Sequence, residues 1–466
     1  MNTTDQFLKE IAEFTICYKP GEDTKRLVKL AVKDALCVAL MAGDYKSARQ
    51  VALPILDGNG LFPMIHSVGK TNHLSGSFGL GTLISWANYN DVYVDHLKVH
   101  PSEVISSIVY AVLSGDELRL SMSKITTEIF IDAVAKAYAI CMKLSNLFVS
   151  NKKFVDGSYI IKIASASVNA WVLGGNENHI CSAVSHAMAD LAPLKLYKLP
   201  YHMTHRNIWS GADSGSRGLF HAVNAVYRGE ACLDQIISNK NYGLLSLGID
   251  WNDLKFELSN PDQLLSQLEF KIDFGCAIEC HNFIEKVAEV SQSIPYDTFS
   301  KITIVGQSQH VPFFDDSSFI PSSERLHNAR ILLPMLLLYG KIHIDYTEDS
   351  FINAPAFKTL QRKIEFEHNK SAHWDHPLEA KVIIELDNGQ TETYEVSSHK
   401  GHPEHGEKRI DNLSLKWQSC LKTGCSAQHI LSIDALLSFK ENEAFSTWYQ
   451  NLCQLSIRHS QDYDKV

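Results

Sequence analysis

Apolar residues recur at helical spacing through the first half of the chain. Residues 24–42, TKRLVKLAVKDALCVALMA, follow the acidic turn PGED and end at Gly43, with apolar side chains on most faces; this predicts a helix buried on nearly all sides. Similar segments at about 103–114, 125–147, 158–173, 178–191 and 214–228 predict further helices, and no strand is expected in the N-terminal third. Near residue 270 the pattern changes. FSKITIVGQ at 299–307 is short and β-branched, and EAKVIIELDNGQTETYEV alternates apolar and polar positions on both sides of Asn388-Gly389, a strong signal for a tight hairpin. Helical patterns near 323–340 and 354–362 lie between these strands, so the segment reads as α+β. From about 407 to 453 the helical period returns, and this tail is expected to pack back on the first helices. The expected organisation is a mainly α protein: a helical part over 1–269, an α+β part over 270–404 and a helical return over 405–466.

Composition narrows the function classes. With 466 residues, 45% hydrophobic and 21% charged, the chain is long enough for more than one core and ordinary for a globular protein. A net charge of -10 offers no basic footprint, so nucleic acid is not an expected partner. The start, MNTTDQFLKEIAEF, lacks the basic and apolar regions of a signal peptide, and the longest apolar run, Ile331 to Tyr339, is broken by Pro334 and too short for a membrane span. A cytoplasmic chain with no membrane partner is expected. Its ten cysteines are scattered, which suits reduced thiols.

Three patterns invite chemistry and are set aside. Cys276, Cys280 and His281 resemble metal ligands, but the second pair is missing, Cys420 and Cys425 being too loosely spaced, so no metal is expected. His399, His402 and His405 in SHKGHPEHGE sit in a Gly/Pro turn and read as surface. GSFGLG at 76–81 lacks the preceding strand of a phosphate loop, and its small residues are expected to let helices approach closely.

The fourth pattern stays open. NYNDVYVDHLKVHPSE, residues 88–103, places Asp91, Asp95, His96, Lys98, His100 and Glu103 between apolar helical segments. His100 before Pro101 reads equally as a helix-starting residue satisfied by backbone, or as an imidazole whose pKa a helix N-terminus lowers, leaving a neutral base.

These residues, within FGLGTLISWANYNDVYVDHLKVHPSE, together with IWSGADSGSRGLFHAV, LEFKIDFGCAIECHNFIEKVAE, SERLHNARILLPMLLLYGKIHIDYTED and EAKVIIELDNGQTETYEV, resemble the MmgE/PrpD family in order and over most of the chain. The resemblance is closest to its 2-methylcitrate dehydratase branch. It implies a large all-helical domain built from both chain ends with an α+β lid between them, a homodimer, and chemistry on small polycarboxylates with neither metal nor organic cofactor. Family activities include dehydration, decarboxylation of cis-aconitate and epimerisation of iminodisuccinate. Carried over residue by residue, the resemblance makes His100, Lys271 and Asp91 the catalytic candidates, and Arg206, Asn207, Arg217 and Asn88 the substrate-binding ones. A polycarboxylate needs such Lys, Arg and His donors, and dehydration needs a base for a carbon-bound proton and an acid for the leaving hydroxyl. Other readings stand beside these. Arg217 also fits an intrahelical pair with Asp213, Lys271 a surface lysine, His281 a core or capping residue, and His327 packing.

The chain departs from the family pattern at Asn88 for an acid, Val92 for a threonine, Asn207 for a lysine and Ile331 for a tyrosine, and no histidine precedes YIIKIASASV. Two outcomes therefore stay open: a lyase of impaired or altered activity, or a noncatalytic relative that kept the scaffold as a binding or interaction protein.

Overall fold

The computed structural model describes residues 4–53, 60–95, 97–118, 124–148, 156–191, 195–198, 203–247, 255–306, 322–342, 348–368, 378–421, 426–439 and 443–463; His96 and Cys425 lie outside them. Among the described residues the chain is mainly α-helical with one four-stranded mixed sheet.

Helices form where the apolar period runs. Glu22–Ala42 opens with Glu22 and Asp23 on the positive end of its dipole, stops at Gly43 and buries Val28, Ala31, Val32, Ala35, Leu36, Val38, Ala39 and Leu40. Thr126 caps Thr127–Leu147 by accepting the Ile129 amide, and Asp156 caps Gly157–Val172 by accepting that of Ser158. Gly157–Val172 is buried almost all round and packs along Arg206–Tyr227. The last helix starts eight residues before the expected 214, because IWSGADSGS reads as a poor helix former and tertiary packing overrides propensity. Gln6–Cys17 is a further helix that the pattern did not flag; it buries Phe7, Leu8, Ile11 and Ala12. GSFGLG lies within His73–Ser85, where a Cβ on Gly81 would stand 2.8 Å from those of Ala212 and from the Ser106 hydroxyl, so the small residues do admit close helix approach.

The N-terminal third is not strand-free. β1 (Phe62–Pro63) and β2 (Lys70–Thr71) form a two-residue antiparallel ribbon, too short to leave a periodic trace in the sequence.

The sheet comprises β3 (Phe299–Gly306), β4 (Ile364–His368), β5 (Ala380–Leu386) and β6 (Thr391–Val396) in the order β4-β3-β5-β6, with β3 and β4 parallel and the rest antiparallel. The β5–β6 hairpin turns at Asn388-Gly389 as expected: Gly389 has φ 83°, and the Asn388 side chain accepts the Gln390 amide at 2.9 Å. Helices His281–Ser293 and Ala329–Tyr339 cover the sheet. Pro334 lies inside the second of these and cannot donate to Arg330; Gln361 Nε2 takes that carbonyl instead at 3.2 Å.

Two large apolar cores result. One joins the helices from Phe7 to Ile272 with Leu413, Trp417, Leu421 and Trp448 from the C-terminal end; the other runs from Phe274 through the sheet. The C-terminal helix Glu407–Leu421 is anchored to Glu22–Ala42 by Lys416 and Asp34, both fully buried, with Nζ 2.7 Å from Oδ1 and 2.8 Å from Oδ2. Lys416 Nζ also donates to the Tyr89 carbonyl at 2.8 Å, so the same contact supports the polar island. No helix among the described residues is long and apolar enough to cross a membrane.

Candidate active site

Beneath the polar island lies a cavity of about 190 Å³, lined among others by Asn88, Lys98, His100, Glu103, Lys198, Asn207, Glu279 and His327. It is small beside the ~300–1,000 Å³ of drug-sized sites, which suits a small metabolite.

The island is shaped by two backbone pairings and a turn. Val92 pairs with Glu269, Tyr93 with Val99, and Pro101–Val104 forms a 3-10 turn that leads into helix Ile105–Leu118. His100 makes no side-chain cap. Asp91 does so instead, its Oδ1 accepting the Ser102 amide at 3.0 Å while Oδ2 accepts the Tyr138 hydroxyl at 2.7 Å. The Asp91 carbonyl accepts a hydrogen bond from His100 Nδ1 at 2.7 Å. A carbonyl can only accept, so Nδ1 carries the proton and Nε2 keeps its lone pair. Burial pushes the His100 pKa well below its ordinary value, and the nearby Lys271 and Lys98 add to this. One ring nitrogen is bound to backbone and the other keeps its lone pair; the cause of the shift is burial rather than a helix terminus.

Glu103 was noticed in the island but given no role. Burial raises its carboxyl to about 7, Lys198 opposing, and Ser85 Oγ lies 3.3 Å from its Oε1. It occupies space that only a glycine leaves: a Cβ on Gly211 would stand 2.0 Å from Glu103 Oε2. Because the clashing atom ends a flexible side chain, Gly211→Ala is expected to keep the fold and push the carboxyl into the cavity. A thermal unfolding midpoint within a few degrees of the parent, with ligand affinity lowered by roughly tenfold or more for a shift of about 1.4 kcal/mol, checks this.

Two lysines line the cavity that sequence reasoning did not single out. Lys98 Nζ is 2.6 Å from Glu279 Oε1, and Lys198 Nζ is 3.1 Å from Asp156 Oδ2. Burial opposes ionisation of Glu279, yet the Lys98 charge outweighs it and holds the carboxyl near 2. His327, expected to be packing, also lines the cavity; its Nε2 lies 3.1 Å from Asn88 Nδ2 and 3.3 Å from Asn207 Nδ2. Burial lowers its pKa to about 3, so it stays neutral and takes both amide protons on Nε2. Lys98 was noticed in the island but given no role, and Lys198, between Tyr197 and Leu199, leaves no spacing signature.

Several expected site residues stand elsewhere. Lys271 is fully buried but does not line the cavity; its Nζ donates to the Asn88 carbonyl at 2.8 Å and to Asn88 Oδ1 at 2.6 Å, and burial lowers its pKa to about 7. It positions Asn88, which is held at φ 49°. Asp91, as above, acts from behind the wall on His100 and Ser102. Arg206 is partly exposed, lies over the rings of Trp209 and Tyr197, and has Asp213 at 3.7 Å. Arg217 is half exposed and forks onto Asp190 at 3.0 and 2.7 Å, rather than onto Asp213. Neither arginine lines the cavity, Arg206 being held over Trp209 and Tyr197 and Arg217 on Asp190. Val92 and Ile331, which stand where the family pattern has a threonine and a tyrosine, are packed in apolar clusters with Ile278 and Leu378, and with Met335, Ile352 and Phe357. Their apolar character is therefore a packing choice.

His399, expected at the surface, is fully buried with Nε2 2.7 Å from Glu269 Oε2. His281 groups with it and with Glu285, rather than with Cys276 and Cys280.

Comparison with known proteins agrees with this architecture. The MmgE/PrpD N-terminal domain matches residues 9–257, and the MmgE/PrpD C-terminal domain matches residues 274–438. The chain is 23% identical over 390 residues to the mitochondrial 2-methylcitrate dehydratase of Yarrowia lipolytica, covering 79% of this chain and 73% of that one. It is 24% identical over 451 residues to a probable 2-methylcitrate dehydratase of Saccharomyces cerevisiae, covering 90% and 86%. It is 23% identical over 378 residues to the 2-methylcitrate dehydratase of Salmonella typhimurium, covering 77% of each.

Proposed function

Because the chain belongs to the MmgE/PrpD family, we propose that it is a lyase that removes water from a small hydroxypolycarboxylate of the 2-methylcitrate class. The observation that carries this reading is the pairing of two cavity groups shifted in opposite directions: His100 held neutral far below its usual pKa, and Glu103 raised to about 7. Groups pushed apart in this way are suited to act as base and acid at neutral pH.

In this mechanism His100 Nε2 takes the proton from the carbon beside a substrate carboxylate. The electron pair forms the new C=C bond, the C–O bond breaks, and Glu103 gives its proton to the departing hydroxyl, which leaves as water. The imidazolium and the carboxylate then exchange a proton through solvent, which restores both. Lys98 and Lys198 hold the substrate carboxylates, and Asn88 and Asn207, fixed by His327 and Lys271, orient it.

The pH dependence follows. Glu103 must be protonated, and its protonated fraction falls as pH rises through about 7, so kcat/KM is expected to fall tenfold per unit above that value. His100 must be neutral, so the acid limb lies well below its ordinary value. Lys271 titrates in the same window, near 7. Glu103→Gln separates the two: it is expected to cost roughly 10²–10⁴ in rate and to abolish the alkaline limb. An alkaline limb that persists in this variant would remove Glu103 from the acid role.

One observation favours a second reading, binding without turnover. Both cavity lysines already have a carboxylate partner, Glu279 and Asp156, which an incoming substrate must displace. Incubation with 2-methylcitrate and citrate, followed by absorbance of the conjugated double bond, decides between them, and calorimetric binding without any absorbance change supports the second.

A further inference from the structure

A second group of chemistry-bearing residues lies where the chain passes between the two cores. His281 and Glu285 sit one turn apart at the start of helix His281–Ser293, and His399 reaches them from the segment after β6. One ligand atom from each of the three lies within 4.8 Å of the others. His281 is fully buried and neither ring nitrogen makes a hydrogen bond; Nδ1 stands 3.7 Å from Glu285 Oε1, beyond hydrogen-bond reach. Glu285 Oε1 is buried without a partner too, although Oε2 accepts the Lys400 amide at 2.8 Å. Buried polar atoms left bare this close together call for an occupant.

We propose that His281, Glu285 and His399 bind a divalent transition-metal ion of the zinc class, with Glu269 holding His399 from behind. The carboxylate of Glu269 accepts from His399 Nε2 at 2.7 Å, so the Nδ1 lone pair is left for a ligand role. That lone pair is met by the Gly401 amide at 3.2 Å, a contact the ion replaces. A carboxylate behind an imidazole is the arrangement that fixes the tautomer of a metal-ligating histidine. Two imidazoles select zinc-like ions over magnesium or calcium, and Glu285 with Glu269 balances a double positive charge. Glu285 also borders an open groove lined by Asn282, Lys400 and Glu404, which gives an entry path and room for a water as fourth ligand.

The position implies a structural role. Glu269 lies just before the chain leaves the larger core, His281 and Glu285 begin the first helix of the smaller one, and His399 lies on the return. An ion here ties both crossings together.

The test uses the full chain, stripped with a chelator and titrated with zinc by calorimetry and by thermal unfolding. One equivalent per chain and a raised Tm are expected. Cobalt in place of zinc is expected to give visible d–d bands without the near-ultraviolet charge-transfer band of cysteine ligation. Glu285→Gln, a conservative change at a partly exposed residue, and His281→Gln are each expected to weaken zinc binding by roughly tenfold or more. The inference is overturned if the stripped protein takes up no zinc, if the cobalt form shows a thiolate band, or if Glu285→Gln binds zinc as tightly as the parent.

Discussion

His100→Ala is expected to lower kcat for dehydration by roughly 10²–10⁴-fold, the usual contribution of a positioned general base. His100 lines the cavity with Nδ1 fixed on the Asp91 carbonyl at 2.7 Å, so in the proposed mechanism the variant removes the proton acceptor itself. The structural loss is small by comparison, one hydrogen bond worth about 1 kcal/mol, so the unfolding midpoint is expected to move little. Measuring kcat and Tm on the same preparation separates the two effects. A variant that turns over as fast as the parent would remove His100 from the base role. Should neither form turn over while both bind substrate, the lyase reading fails and the binding reading stands.

Lys416→Met is expected to destabilise the protein by about 3–5 kcal/mol, the cost of leaving a buried charge without its partner. Asp34 and Lys416 are both fully buried, and Trp417 Nε1 donates to Asp34 Oδ1 at 3.3 Å, so no solvent is at hand to replace the lost ammonium. Burial already acts to raise the Asp34 pKa, and Lys416 is the principal group opposing it. Without Lys416 the carboxyl is expected to be protonated on folding, and the Tyr89 carbonyl also loses its donor. The double variant Asp34→Leu/Lys416→Met is expected to recover much of the loss, since an apolar pair of similar volume often replaces a buried ion pair at little cost. Thermal unfolding of the parent, both single variants and the double variant measures the coupling. A loss in the double variant equal to the sum of the two single losses would show that the two charges do not depend on one another.

Much of the secondary structure could be read locally. The helices Glu22–Ala42, Thr127–Leu147 and Gly157–Val172 and the β5–β6 hairpin follow from apolar period, caps and Asn388-Gly389, all of which act within a few residues. The N-terminal part of Arg206–Tyr227 did not, because its Gly and Ser residues serve contacts with distant segments such as Glu103 against Gly211. β4 was missed as well: Ile364–His368 alternates over only five residues and gains its strand identity from parallel pairing with β3.

The candidate site divides along the same line. The sequence by itself determined which residue types the island around His100 could offer, and a family pattern pointed to Asn88, Asn207, Lys271 and Asp91. Only the tertiary structure decided what each of them does. It left Arg206 and Arg217 out of the cavity lining, set Lys271 and Asp91 behind the cavity wall, and brought Lys98, Lys198, Glu279 and His327 to it from four separate segments. The physical reason is that a charge acts through distance and burial, not through chain position: desolvation sets the pKa of His100 and Glu103, and burial exists only once segments far apart in sequence have packed together.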